Sequence, residues 1–107
     1  MFARILEFVP KLEKKEEFLN VIKKEVLPIL QKQTGFLEIL PFTPELKDEK
    51  MITVTLWMER VNLDRYERDT FPKVEEILKP YLKTPITWKV YTVETTLCEH
   101  FVQTLAA

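Results

Sequence analysis

Residues 34–42 read TGFLEILPF and residues 51–57 read MITVTLW, two runs rich in side chains that favour β-strands. The polar stretch 43–50 between them suits an exposed connection, so the two runs are predicted to pair as an antiparallel hairpin. In the second run, Ile52, Val54, Leu56 and Met58 form an apolar face, and Met51, Thr53, Thr55, Trp57 and Glu59 form a mixed face. The alternation predicts a sheet with one dry side.

A helix is predicted before this hairpin. Residues 11–33 carry apolar side chains at helical spacing among lysines and glutamates, which is typical of an amphipathic helix. Pro28 should kink the helix or open its last turns, because proline removes one backbone hydrogen bond. Gly35, the single glycine of the chain, is expected to end the helix in the left-handed conformation.

The flanking segments complete the order of elements. Residues 2–9 predict a first strand that ends at Pro10. Asn62 is a candidate cap for a short helix through Asp69, and Thr70 starts a second helical piece with Pro72 in its first turn. Residues 86–95 predict a last strand, so the order is that of an α+β, ferredoxin-like βαββαβ domain with two helices on one face.

The domain is predicted to span residues 1–95, followed by a C-terminal tail at residues 96–107. Thr96-Leu97-Cys98-Glu99 has the form of a capping box and leads towards Phe101 and Leu105, so the tail is expected to be a short helix or a dimer arm. Two helices on one face of the sheet leave the other face bare. We expect the mixed Thr/Trp face to be the bare one and to pack against a second copy of the chain.

Composition excludes several classes of function. The 107 residues fit one domain, and 16 Lys+Arg against 17 Asp+Glu give no electrostatic reason to bind nucleic acid. There is no serine, so serine nucleophiles are excluded, and one glycine cannot form a phosphate-binding loop. Cys98 and His100 alone cannot form a structural zinc site. Their side chains would lie on the same face, as a Cys/His nucleophile pair requires, only if the tail is extended. No segment predicts a membrane span or leader, so we expect a cytoplasmic protein.

Four short motifs, in this order and spacing, resemble the antibiotic biosynthesis monooxygenase (ABM) family. They are Val26-Leu27-Pro28-Ile29-Leu30, Thr34-Gly35-Phe36, Thr55-Leu56-Trp57-Met58-Glu59, and the segment from Phe71 to Leu82 with Pro80. The resemblance covers residues 2–95 and implies a dimeric α+β barrel with a pocket between the sheet and the helices of each protomer. Some relatives oxygenate aromatic or quinol substrates without metal or flavin, others degrade haem, and many have no known activity.

Haem degradation is not expected here. Relatives that degrade haem carry a ligand His on the second helix, a nearby Trp and an Asn on the first strand, whereas this chain offers Glu75, Tyr66 and Arg4 in those regions. Quinol-oxidising relatives often carry His around the second helix, where this chain has Tyr66 and Phe71.

The resemblance leaves Tyr66 and Asn62 as candidate catalytic residues, four positions apart and so on one side of a helix. Tyr66 would hydrogen-bond a substrate oxygen and Asn62 would orient it, while Trp57, Phe71 and Arg4 would line the substrate pocket. Structural roles compete with each assignment. Tyr66 suits a half-buried helix aromatic, Asn62 a helix cap, Trp57 a packing or dimer-interface anchor, and Arg4 a paired charge.

Two functions remain at this point. The first is a cofactor-independent monooxygenase acting on a small aromatic or quinol-like compound, without metal or other cofactor. The second is a non-catalytic homodimer of the same fold, which binds a small apolar or aromatic ligand or is purely structural. In neither case is nucleic acid or membrane an expected partner.

Overall fold

A computed structural model describes residues 1–47 and 49–98 of the chain. Four strands, β1 (Phe2–Phe8), β2 (Phe36–Phe42), β3 (Met51–Trp57) and β4 (Thr87–Thr92), form one antiparallel sheet in the order β2-β3-β1-β4. This order confirms the ferredoxin-like βαββαβ arrangement. The last strand is shorter than predicted and ends at Thr92. The described residues end at Cys98. Three predictions therefore involve residues outside them: the capping box that ends at Glu99, the tail helix beyond it and the Cys98/His100 pair.

The first helical stretch is amphipathic as predicted but irregular. It consists of a 3₁₀ turn (Leu12–Lys14), α1 (Lys15–Val21), a π-helical turn (Ile22–Val26) and α2 (Leu27–Gln31). The predicted disturbance at Pro28 is confirmed, and its form is the π-turn just before the proline. There the Leu27 N–H donates to the Ile22 carbonyl, five residues back, and Pro28 lacks the N–H needed to continue the regular ladder.

Gly35 has φ of +83°, which confirms the predicted left-handed position between α2 and β2. A Cβ at this position would lie only 2.6 Å from the Cβ of Asn62. The Met58 N–H donates to the Gly35 carbonyl at 2.8 Å, so the chain leaving β3 crosses directly over this glycine.

The second helix is broken at Thr70, as predicted, into α3 (Arg60–Asp69) and α4 (Phe71–Leu78), and a 3₁₀ turn (Lys79–Tyr81) follows. The prediction that Asn62 caps this helix is wrong. The helix already begins at Arg60, with Glu59 at the N-cap, and the Asn62 N–H donates to the Glu59 carbonyl at 3.2 Å. Asn62 lies in the first turn, and its side chain packs over Gly35.

The helices cover the face of the sheet that was predicted to be bare. The inner face, which the helices cover, carries the buried residues Arg4, Leu6, Phe8, Met51, Thr53, Thr55 and Trp57. The outer face carries the apolar set, with Ile52, Val54 and Leu56 of β3 beside Leu40 and Phe42 of β2 and Ile5 of β1. The mixed face is therefore the covered one.

Satisfied hydrogen bonds explain why this polar face can be buried. The Trp57 indole N–H donates to the Thr55 hydroxyl at 3.0 Å, and that hydroxyl donates to the Arg4 carbonyl at 3.4 Å. The Trp57 ring lies against Phe36 and Tyr66, with centroids 5.5 and 4.9 Å away. Trp57 is therefore an anchor of the internal core, and the alternative of a dimer-interface anchor is wrong.

Candidate functional site

A small cavity of about 30 Å³ lies between the inner face of the sheet and the helices, where the family resemblance places a pocket. Its polar lining consists of Arg4, Thr53, Thr55 and Tyr66. Its apolar lining consists of Leu6, Phe8, Ile22, Val26, Leu30, Ile39, Val74 and Leu78. A cavity of this size holds one or two water molecules, so the site is closed to a ring compound in this conformation.

Arg4 projects from the centre of β1 and is only 1% exposed. Its Nε donates to Glu67 Oε1 at 2.8 Å, which confirms that this strand arginine is paired. The guanidinium carbon lies 3.9 Å from the ring centroid of Phe71 and 5.0 Å from that of Trp88. Burial lowers the pKa of Arg4, and the hydrogen bond to Glu67 opposes this shift, so the group stays cationic.

One nitrogen of this guanidinium has no acceptor. Arg4 Nη2 is buried and makes no hydrogen bond to any described residue, the only such side-chain atom within residues 1–47 and 49–98. A buried charged donor without an acceptor is strongly unfavourable, so unpaired donors of this kind are rare in folded proteins. The atom therefore marks a position where a ligand oxygen or a water would be bound.

Tyr66 projects from α3 into the same region and is almost fully buried. Its ring centroid lies 4.9 Å from that of Trp57 and 6.1 Å from that of Phe71. Burial raises the pKa of Tyr66 to about 12, although the nearby Arg4 cation opposes the shift. The hydroxyl is therefore protonated at neutral pH and is suited to donate a hydrogen bond rather than to act as a base.

The structure brings together four of the five predicted site residues and leaves Asn62 apart. Arg4 and Tyr66 line the cavity, and Trp57 and Phe71 lie directly behind Tyr66. Asn62 is one turn before Tyr66 on α3 but is not among the lining residues, because it packs over Gly35. The geometry gives Asn62 a packing role over Gly35, next to the start of β2.

Sequence reasoning missed Thr53, Thr55, Glu67 and Trp88. The two threonines share a strand face with Trp57, and this periodicity was visible, but the face was assigned to the wrong side of the sheet. Glu67 and Trp88 reach Arg4 from α3 and β4, which are distant in sequence. The register of β1 against β4, which places Leu6 opposite Trp88, identifies Trp88 as one partner, whereas the contact with Glu67 depends on how α3 packs on the sheet.

No group of three or more His, Cys, Asp or Glu side chains in the described part of the chain is placed to hold a metal ion. Likewise, no helix within the described ranges combines the length and apolar character that crossing a bilayer requires.

Fold and cavity together define a ferredoxin-like α+β domain with a buried, partly polar internal site. No family model matches the chain, and no curated protein matches it. Solved structures do share the fold. The cofactor-independent oxygenase SnoaB of Streptomyces nogalater, solved as an asparagine-to-alanine variant, has a TM-score of 0.75 at 17% identity, covering 92% of this chain and 97% of that one.

Two other structures give similar values. A monooxygenase from the ActVA-Orf6 gene of Streptomyces coelicolor, solved with the ligand nanaomycin D, has a TM-score of 0.70 at 13% identity, covering 87% of each chain. A conserved protein from Methanosarcina mazei Go1 has a TM-score of 0.71 at 20% identity, covering 88% of this chain and 94% of that one. The ABM resemblance read from the sequence is confirmed as a likeness of fold.

Proposed function

We propose that this protein is a cofactor-independent monooxygenase that oxidises a small aromatic or quinol-like compound in the internal cavity. The observation that carries the proposal is the pair of hydrogen-bond donors, Tyr66 and Arg4, at a cavity inside a fold shared with solved oxygenases. Both donors are buried, so a bound oxygen would be held away from competing water. Fold likeness alone does not fix the activity, and the donors supply the chemical reason.

The reaction we propose balances without a separate reductant. A substrate that has already lost a proton to the solvent, and so enters as its enolate or phenolate, can itself donate an electron to O₂. In an anthrone, a ring methylene carbon loses two hydrogens and gains one oxygen atom, and the second oxygen atom leaves with those hydrogens as water. The substrate thus supplies all four electrons, and Tyr66 and Arg4 stabilise the oxyanion that starts the reaction.

Access to the cavity requires one wall to move. At about 30 Å³ the cavity is far smaller than an aromatic ring. Ile22 and Val26 of the π-turn form part of its wall, and π-turns occur frequently at functional sites because their hydrogen bonding departs from the regular helix. We therefore propose that the substrate enters where Ile22 and Val26 move away from the other cavity walls.

Oxygen consumption tests the activity. Purified, chelator-treated protein is offered hydroquinones, naphthols and anthrones, and the autoxidation of each compound is subtracted. We expect saturable uptake that falls about 10-fold or more in Tyr66→Phe, because the donor to the oxyanion is lost. Tyr81→Phe, in the 3₁₀ turn outside the cavity lining, is the matched control and should keep the full rate. Equal rates in both variants would remove Tyr66 from the mechanism.

A non-catalytic binding or structural protein of the same fold is the second candidate. One observation favours it: the described residues that line the cavity include no carboxylate or imidazole, and Tyr66 is held protonated. Such a site binds an oxygen but does not remove a proton. No uptake with any compound, together with binding of the same rings by calorimetry, would establish this function and reject the first.

We also propose that the outer face of the sheet forms a homodimer. Phe42 is 52% exposed and Leu40 39% exposed, and they continue the apolar rows of Ile52 and Val54. An apolar sheet face of this kind is characteristic of an interface between copies of a chain. Light scattering should give twice the chain mass of 12.8 kDa.

Val54→Lys provides the test of this interface, since Val54 lies between Ile5 and Leu40 at the middle of the face. The charge should convert the dimer to a monomer. Val61→Lys, on the exposed side of α3, adds the same charge elsewhere and should leave the mass unchanged. A wild-type monomer at micromolar concentration would reject the dimer.

A further inference from the structure

The unpartnered nitrogen of Arg4 indicates what kind of molecule the cavity recognises. Arg4 Nε donates its hydrogen bond to Glu67, whose side chain is 26% exposed, while Arg4 Nη2 is buried. The charge of Glu67 is screened by solvent on its exposed side, but the buried nitrogen has no such compensation. The unsatisfied positive end of the guanidinium therefore lies in the protein interior.

Aromatic rings hold this guanidinium in place. Phe71 lies 3.9 Å from the guanidinium carbon, Trp88 lies 5.0 Å from it, and the two rings contact each other edge to face at 5.0 Å. Tyr66 also packs against Phe71, and its ring centroid lies 5.6 Å from the same carbon. A guanidinium fixed by three rings and one carboxylate is preorganised, so binding an acceptor needs little further ordering.

We propose that Arg4 is a specificity-determining residue, which makes the cavity select ring compounds that carry a single ionised oxygen. The inference deepens the proposed function, since it concerns the same cavity, but it requires binding only and not oxygenation. The ionised oxygen comes from an acidic ring hydroxyl or from a carboxylate, and both present the same acceptor to Nη2 and to the Tyr66 hydroxyl.

The lining of the cavity explains both parts of this selectivity. The guanidinium is charged whatever ligand is bound, so an ionised oxygen gains a Coulombic attraction in this buried site that a neutral carbonyl or ether does not gain. The remaining lining side chains, apart from Thr53 and Thr55, are apolar. A second charge on the ligand would be buried against them without a partner, so polyanions are disfavoured.

Calorimetry with matched ligand pairs tests the inference without any turnover. The first pair is 2-hydroxy-1,4-naphthoquinone, ionised at neutral pH, and its neutral 2-methoxy analogue. The second pair is 2-naphthoate and 2-naphthamide, which distinguishes a carboxylate from an acidic hydroxyl as the source of the oxygen. We expect the anion of at least one pair to bind about 10-fold or more tightly than its neutral partner.

Arg4→Met should abolish this preference, so that the anion and its neutral partner bind within about 3-fold of each other. Arg60→Met is the matched control, because Arg60 is exposed and pairs with Asp64 on the surface of α3, and its preference should equal that of the wild type. Equal affinities for anion and neutral partner in the wild type, in both pairs, overturn the inference and leave Nη2 to a bound water.

A second measurement needs no variant. The ionised and protonated forms of 2-hydroxy-1,4-naphthoquinone differ in visible absorbance, so the pKa of the bound ligand can be titrated in wild-type protein. We expect binding to lower that pKa by about one unit, which corresponds to about 10-fold selectivity for the anion. A raised or unchanged pKa contradicts the inference. Anion-selective binding without oxygen uptake supports the inference and rejects the oxygenase. Oxygen uptake without anion selectivity supports the oxygenase and rejects the inference.

Discussion

The two faces of the sheet are buried in the opposite order from their hydrophobicity: the mixed polar face is covered, and the more apolar face is accessible. The inner face buries Arg4, Thr53 and Thr55 beside aromatic rings, and the outer face leaves Ile52 and Phe42 partly exposed. Polar residues are buried where their hydrogen bonds are met or where a ligand would meet them, and apolar residues remain accessible where a second copy would cover them. Which face is inside therefore depends on partners, and not on hydropathy alone.

Removing the central ring of the inner face should have the largest effect. Trp57→Ala deletes a fully buried indole that contacts Phe36 and Tyr66, so we expect a loss of about 3 to 5 kcal/mol in the free energy of unfolding. Urea denaturation followed by circular dichroism measures this. A loss below about 1 kcal/mol would show that the inner face does not form the core.

The Arg4–Glu67 pair should respond asymmetrically. Glu67→Ala leaves the buried guanidinium without its carboxylate, and we expect a loss of about 3 kcal/mol. Arg4→Met removes the buried charge and its unpartnered nitrogen, while Glu67 can reach water, so we expect a change below about 1 kcal/mol. Urea denaturation of both variants in parallel checks the order, and a larger loss in Arg4→Met would mean that Nη2 is satisfied in the folded protein.

Alkaline titration should reveal the environment of Tyr66. Its folded pKa of about 12 lies above the ordinary value of 10.0, so the folded state holds this proton more tightly than the unfolded state does. The resulting stability is fully present below pH 10 and is lost as pH rises towards 12, by about 2 to 3 kcal/mol. Tyr66→Phe should remove this part of the pH dependence.

The control for that titration is Tyr91→Phe, which changes a half-exposed tyrosine on the outer face. Denaturation curves at several pH values between 9 and 11 should match the wild type in their pH dependence for Tyr91→Phe and be flatter for Tyr66→Phe. Identical slopes in all three proteins would contradict the burial of the Tyr66 hydroxyl.

The outer face should give the smallest effect on the folding of a single chain. Phe42→Ala removes a ring that is already half exposed, and we expect a loss below about 1 kcal/mol when unfolding is measured at the lowest practical protein concentration. At high concentration the loss should grow, because a dimer adds to apparent stability by mass action. If the loss does not depend on protein concentration, the outer face does not take part in self-association.

The sequence predicted the order of elements, both strands of the hairpin and the break at Thr70, because each depends on local periodicity and on Pro or Gly at a boundary. It failed for the faces of β3, because alternation gives two faces but not which one the helices cover. It failed for Asn62, because packing over Gly35 is a contact between distant segments. Arg4, Tyr66, Trp57 and Phe71 were predicted as site residues, but the contacts of Arg4 with Glu67 and Trp88 depend on register and were not.

The π-turn keeps two halves of the first helix in phase with the core. Phe18 and Val26 are both buried but lie 8 positions apart, which on a regular α-helix would separate them by about 80° around the axis. Leu30, 12 positions from Phe18, would be displaced by about 120°. One extra residue in the π-turn removes about 100° from both angles and leaves all three side chains within about 20° of one line. In terms of chain length, this helix carries one residue more than its core contacts require, so deleting one exposed residue inside residues 22–26 is expected to preserve the buried stripe.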